Sequence, residues 1–277
     1  MFPFIDLKIT RIPLYGLCIA FGILVASLIA YFVTKKKSIA FPYFIIVETC
    51  CYAFGFLGAK ILFVVVSFPR SEWLSIFASF LTLQNKSNAL MTTGFVFYGG
   101  LIFGIAGYFV GCKIAKHRAD AFLGIFAFSV PLVHAFGRIG CFCAGCCWGI
   151  RYDGLFAVNF DHPFSSAPVG VPLFPVQLLE CAFLLLLSFV LFALYSNAGF
   201  SNKRGIECAL LYVPAYSATR FFTEYLRGDT ERGMVFALSV SQFISIVLLV
   251  LSVAQVLVFF GFSKTSKTSS EILEAIK

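Results

Sequence analysis

Residues 120–149 read DAFLGIFAFSVPLVHAFGRIGCFCAGCCWG, an apolar run that ends on Arg138 and then on four clustered cysteines, Cys141, Cys143, Cys146 and Cys147. An arginine carried into the hydrocarbon core of a bilayer costs about 2.5–3.5 kcal/mol on insertion scales, so it needs a polar partner or a function. A second apolar stretch ends the same way at Arg220, with Glu224 one turn further on and Glu180 near the start of the stretch before it. Two arginines and two carboxylates in such surroundings predict either a structural ion pair or a polar site inside a membrane protein.

The composition places the rest of the chain in the same class. Of 277 residues 60% are hydrophobic, 18% aromatic and only 12% charged, and the mean hydropathy is +0.94. Long uncharged runs of this kind read as membrane spans, not as a soluble core. The 36 Phe and 22 Gly suit lipid-facing bulk and close helix contact. The net charge of +8 is assigned to loop Lys and Arg that set orientation and meet anionic headgroups, and no nucleic-acid partner is expected.

Seven segments are long enough to cross about 30 Å of hydrocarbon at 1.5 Å per residue. They lie at 14–34, 42–67, 93–112, 120–139, 175–198, 205–226 and 234–262, with Pro131 and His134 interrupting the fourth. The expected fold is all-α: a polytopic membrane protein with seven transmembrane helices in one domain, 1–263, an irregular region from about 140 to 175, and a polar cytoplasmic tail, 264–277. The first span lacks a cleavage-site pattern and reads as a retained helix. Eleven Lys and Arg fall in the tail and in the loops after spans one, three and five, against eight on the other face. That bias predicts an outside N-terminus and a cytoplasmic C-terminus. With this topology Tyr15, Lys60, Tyr98, Arg138, Glu180, Arg220, Glu224 and Gln242 converge on the outer third of the membrane, which favours a site over scattered ion pairs. Glu48 and Glu207 fall near the inner face.

Tyr212, Tyr216, Arg220, Glu224 and Arg227 recur at four- and three-residue spacing and share one face of the sixth helix. Gln177 and Glu180 are one turn apart on the fifth. An arginine presents a fixed fork of donors that matches phosphate oxygens, so two of them at headgroup depth suggest a phospholipid clamp. Gly94, Gly99, Gly100 and Gly104 around Tyr98 allow close approach by a neighbouring helix or a lipid. Cys143 and Cys146 form a CxxC, a spacing used for redox or metal chemistry. It motivates a rival reading as a membrane thiol-disulfide oxidoreductase. A zinc site there is weakly supported, since His134 is the nearest additional ligand and lies in the preceding span. The other six cysteines lie in apolar spans and read as small hydrophobes. A transporter would show broken helices at inverted-repeat positions, and no such symmetry is present.

The order of motifs adds a resemblance. Tyr15-Gly16, F-Y-G-G-L-I (97–102), G-R-I-G…G (137–149), P-V-Q-L-L-E (175–180) and R-x-x-x-E-x-x-R (220–227) together resemble the phosphatidylglycerol–prolipoprotein diacylglyceryl transferases. The likeness runs from the first span to Gln242. It implies seven spans with the N-terminus outside, in the bacterial cytoplasmic (inner) membrane. It implies transfer of the diacylglyceryl group of phosphatidylglycerol to the lipobox cysteine of a prolipoprotein signal peptide. A thioether forms, glycerol phosphate leaves, and neither metal nor other cofactor is implied. Carried over residue by residue, the catalytic positions are Tyr98, Arg138, Glu180 and Arg220. The substrate-binding positions are Tyr15, Lys60, Gly99, Gly100, Cys141, Gly149 and Glu224. The chain departs from the common pattern at Tyr98, where many members carry His, at Cys141 in place of Asn, at Cys146 in place of an acid, and at Lys60 in place of Arg.

Overall fold

The computed structural model describes residues 4–7, 10–74, 97–163, 165–229, 234–235 and 238–255. A short antiparallel hairpin of β1 (Phe4–Leu7) and β2 (Thr10–Pro13) leads into α1 (Leu14–Lys36). There follow α2 (Phe41–Ser67), α3 (Phe97–Ile114), α4 (Asp120–Ala144), α5 (Val176–Asn197) and α6 (Asn202–Thr223). A second small hairpin, β3 (Met234–Val235) with β4 (Leu238–Ser239), precedes α7 (Val240–Gln255). A helix thus stands at each of the seven apolar segments read from the sequence. The tail beyond 263 lies outside the described residues.

Local chemistry sets the helix ends. Lys35 and Lys36 close α1, where cations complement the carbonyl end of the helix dipole. Pro42 sits in the first turn of α2, where its missing N–H costs nothing. Ser201 caps α6 by accepting from the Arg204 N–H at 3.3 Å. Pro131 does not end α4, which runs unbroken from Asp120 to Ala144. Near this proline, Ser188 Oγ of α5 donates to the Phe128 carbonyl at 2.8 Å.

Among the described residues α1, α4, α5 and the Phe41–Val65 part of α2 are long and apolar enough to cross a membrane. The helical stretches Gly99–Ile114 and Val240–Gln255 are apolar but shorter. The α6 helix has the length, but Lys203, Arg204, Glu207 and Arg220 lower its hydropathy.

The chain divides into two compact units, residues 1–30 with 122–277, and residues 31–121. In the first, Ala135, Cys181 and Leu184 form a core joined by Ile139 and Tyr216. A second core of Phe160, Ala167 and Leu173 fills the irregular region, with Phe142 and Trp148 against it. The smaller unit holds α2 against α3 through glycines. A Cβ on Gly99 would collide with the Gly58 carbonyl oxygen and lie 2.7 Å from Leu62 Cβ. One on Gly107 would lie 2.5 Å from the Cys50 carbonyl oxygen. Gly100 is looser, with the Gly55 oxygen 3.4 Å from its Cβ position. Packing against α2 therefore accounts for Gly99.

This difference is measurable. Gly99→Ala forces two helix backbones apart and is expected to destabilise by about 1–3 kcal/mol, the usual cost of overpacking. Gly100→Ala should stay within about 0.5 kcal/mol of the parent. Thermal unfolding of the two variants in detergent checks the ranking, and equal midpoints would contradict it.

Candidate active site

Glu180 is the centre of the site. It stands in the second turn of α5, a helix that starts just after Pro175, and only 5% of it is exposed. Its Oε2 lies 2.6 Å from Arg138 Nε of α4. Its Oε1 accepts from an Arg220 guanidinium N–H of α6 at 3.1 Å and from Thr223 Oγ1 at 2.9 Å. The Arg138 N–H is poorly aligned for a hydrogen bond despite the short separation, so that contact is mainly ionic. The second terminal nitrogen of Arg220 lies 2.7 Å from Glu224 Oε2 and donates to Ser241 Oγ of α7 at 3.1 Å. Helices α4, α5, α6 and α7 thus meet at one buried network. The Arg220–Glu224 pair expected from the i,i+4 spacing is present.

The network makes physical sense. A buried guanidinium is tolerated only when paired and hydrogen-bonded. Here two arginines and two glutamates balance, and one carboxylate holds both guanidiniums. A small cavity of about 10 Å³ beside them is lined by Glu180, Leu184, Tyr216, Thr219, Arg220 and Thr223. It has room for about one water. His134 and Tyr216 pack with ring centres 5.2 Å apart, and Tyr212 stacks on Tyr216 at 5.9 Å.

A strand-like crossing completes the site. The Gly228 N–H donates to the Trp148 carbonyl at 3.0 Å and the Ile150 N–H to the Leu226 carbonyl at 2.9 Å. Gly149 and Arg227 pair as an antiparallel bridge. A Cβ on Gly149 would strike the Phe174 carbonyl oxygen and lie 3.0 Å from that of Leu226, so only glycine fits between these chains. Arg227 beyond the crossing grips Asp229 with two hydrogen bonds, at 3.1 and 2.7 Å. Burial works against its charge, but the Asp229 hydrogen bonds and nearby Cys147 outweigh this and raise its pKa.

The remaining sequence-predicted residues fall as follows. Tyr15 begins α1, is 43% exposed, and its Cα lies 3.0 Å from where a Gly140 Cβ would stand. Cys141 is buried on the last turn of α4. Lys60 is buried on α2, in the smaller unit. Tyr98 is in the first turn of α3, and its side chain lies outside the described residues. The CxxC does not form a pair: Cys146 groups with Cys141 and Cys147, while Cys143 lies beside Cys18. Thr223, Ser241 and Asp229 were not anticipated. Thr223 sits three residues after Arg220, a spacing that could have flagged it, whereas Ser241 and Asp229 offer no comparable signal.

Replacing Glu180 by Ala would leave two buried guanidiniums short of a partner. Breaking a buried pair this way costs about 3–5 kcal/mol, so Glu180→Ala is expected to lower the unfolding midpoint sharply. Glu224→Ala, which leaves Arg220 its other partners, should cost less. Denaturation of both variants in detergent measures the difference.

Known proteins share this sequence over most of its length. The prolipoprotein diacylglyceryl transferase family model matches residues 4–258. A Clostridium perfringens protein named phosphatidylglycerol–prolipoprotein diacylglyceryl transferase 2 is 36% identical over 198 residues, 71% of each chain. A Clostridium tetani protein named phosphatidylglycerol–prolipoprotein diacylglyceryl transferase is 34% identical over 240 residues, 86% of this chain and 90% of that one. With a match of this length, the chain belongs to the prolipoprotein diacylglyceryl transferase family.

Proposed function

We propose that this protein transfers the diacylglyceryl group of phosphatidylglycerol to the lipobox cysteine of a prolipoprotein. The observation that carries the reading is the pair of buried arginines from different helices held by Glu180, in a chain of this family. The acceptor sulfur attacks the glyceryl carbon that bears the phosphate. A C–S bond forms as the C–O bond breaks, the electron pair leaves with glycerol phosphate, and the thiol proton passes to a base.

Arg138 and Arg220 hold the phosphate and stabilise its growing charge as it leaves, a role in which fixed donors cost no reorganisation. The Glu180 oxygens are engaged by Arg138, Arg220 and Thr223, which supports an orienting role for it. Proton removal is assigned to Tyr98, whose ordinary pKa near 10 requires a perturbed setting. Glu224 orients Arg220, while Tyr15, Lys60, Cys141 and Gly149 belong to the substrate-binding surroundings. The cavity at the arginines takes about one water, so a phosphate group enters only as side chains move aside.

The same proposal includes the topology: seven spans in one domain of the bacterial cytoplasmic membrane, N-terminus outside and C-terminal tail in the cytoplasm. The loop charge bias supports it. A fluorescent protein fused to the C-terminus should glow and alkaline phosphatase fused there should be inactive, and the opposite pattern would reverse the orientation.

The reaction is tested with purified protein in phosphatidylglycerol vesicles and a lipobox peptide. Mass spectrometry should find a diacylglyceryl adduct on the peptide cysteine. Arg138→Ala and Arg220→Ala should each lower the rate by about 10²–10³, the loss typical of a transition-state donor. Full activity in Arg220→Ala would sink the clamp, and a silent Tyr98→Phe would move the base elsewhere.

A further inference from the structure

The three thiols of Cys141, Cys146 and Cys147 lie within 4.8 Å of one another. Their convergence follows from how α4 ends. The Cys146 N–H donates to the Cys141 carbonyl at 3.1 Å and the Gly145 N–H to the Phe142 carbonyl at 3.2 Å, with Gly145 at φ +67°. This is the paired hydrogen-bond pattern of a Schellman cap, and it folds Cys146 back over Cys141. Cys147 follows at φ +57°, in the left-handed region that a side chain enters at a cost of about 1–2 kcal/mol.

The turn is also braced from outside. Gln177 Nε2 donates to the Cys146 carbonyl at 2.8 Å, and Ser165 and Ser166 donate to the Gly145 carbonyl at 3.1 and 3.2 Å. Three sulfurs are thus held together by backbone that has few other conformations open to it. A disulfide accounts for them poorly. Adjacent residues hold their Cα atoms about 3.8 Å apart, below the usual disulfide range of about 4.4–6.8 Å. A Cys141 disulfide to either neighbour would leave one thiol of the three over.

The geometry points to a binding site for a thiophilic d¹⁰ cation of the zinc class, held by Cys141, Cys146 and Cys147. Metal–sulfur bonds of about 2.3 Å in tetrahedral arrangement place sulfurs roughly 3.8 Å apart, within about 1 Å of the separations present. On binding, each sulfur that is still protonated releases its proton to solvent as its sulfur–metal bond forms. Three thiolates around a divalent ion carry one net negative charge, and the positive fields of Arg227 and Arg138 favour thiolate at Cys147. A tetrahedral ion takes four donors, so three thiols leave one position for water or an exogenous thiol. The ion would lock the turn that carries Gly149 into the crossing with Arg227.

The test uses the full-length protein in detergent, reduced and then freed of reductant under anaerobic conditions. Cd²⁺ is the probe, read by its thiolate-to-metal charge-transfer absorption and by mass spectrometry of cysteine alkylation. Saturation at one equivalent is expected, with Cys141, Cys146 and Cys147 protected and Cys143 labelling as before. Cys147→Ser should weaken Cd²⁺ binding at least tenfold, while Cys143→Ser should not. Because the protection pattern is read in the parent protein, a variant that fails to fold leaves the test intact. No saturable band would overturn the proposal. So would equal protection of Cys143, or a disulfide among the three thiols under these conditions. Neither readout uses lipid or peptide, so the outcome is independent of the transferase reaction.

Discussion

One carboxylate governs this structure. Glu180 binds guanidinium groups from two other helices, and each partner would be prohibitively costly to bury alone. At an effective dielectric of about 20, unit charges 4 Å apart attract by about 4 kcal/mol, comparable with the cost of placing one arginine in an apolar span. Neither charge is therefore an ornament on a bundle that would form without it. The α4, α5 and α6 helices must meet where Glu180, Arg138 and Arg220 can touch, and Ser241 ties α7 to the same point.

That constraint explains features that look unrelated along the chain. Pro175 and the start of α5 fix the height at which Glu180 stands. Gly149 lets two backbone segments cross beside Arg227 without a side chain between them. Gln177, on the same turn as Glu180, braces the cysteine-bearing turn through the Cys146 carbonyl. The polar network, the backbone crossing and the thiol cluster are thus carried by overlapping residues, and a change in one is felt by the others.

The parts of this structure are legible in the sequence to different degrees, for physical reasons. Hydropathy and length located the helices, including α4 across Pro131, because apolar runs of about twenty residues admit few alternatives to a helix in or near lipid. Helical spacing predicted the Arg220–Glu224 pair, since i and i+4 always share a face. The CxxC spacing misled: it suggested Cys143 with Cys146, but the Schellman cap turns Cys146 back onto Cys141 and leaves Cys143 facing Cys18. Around Tyr98 the glycines admit close approach by a helix or by a lipid, and the structure shows the helix contact, Gly99 against Gly58 and Leu62 of α2.

What the sequence alone determined was the class of molecule and the identity of its unusual residues: apolar helices, two misplaced arginines, their carboxylates and the motif order shared with one enzyme family. Those properties are local, read from composition, period and spacing. Only the tertiary structure decided that a single glutamate serves both arginines, that Thr223 and Ser241 complete their hydrogen bonds, and that three of four neighbouring thiols converge. Such pairings join residues up to 82 positions apart, as with Arg138 and Arg220 through Glu180. They depend on where helices cross and how a helix ends, which no window of sequence contains.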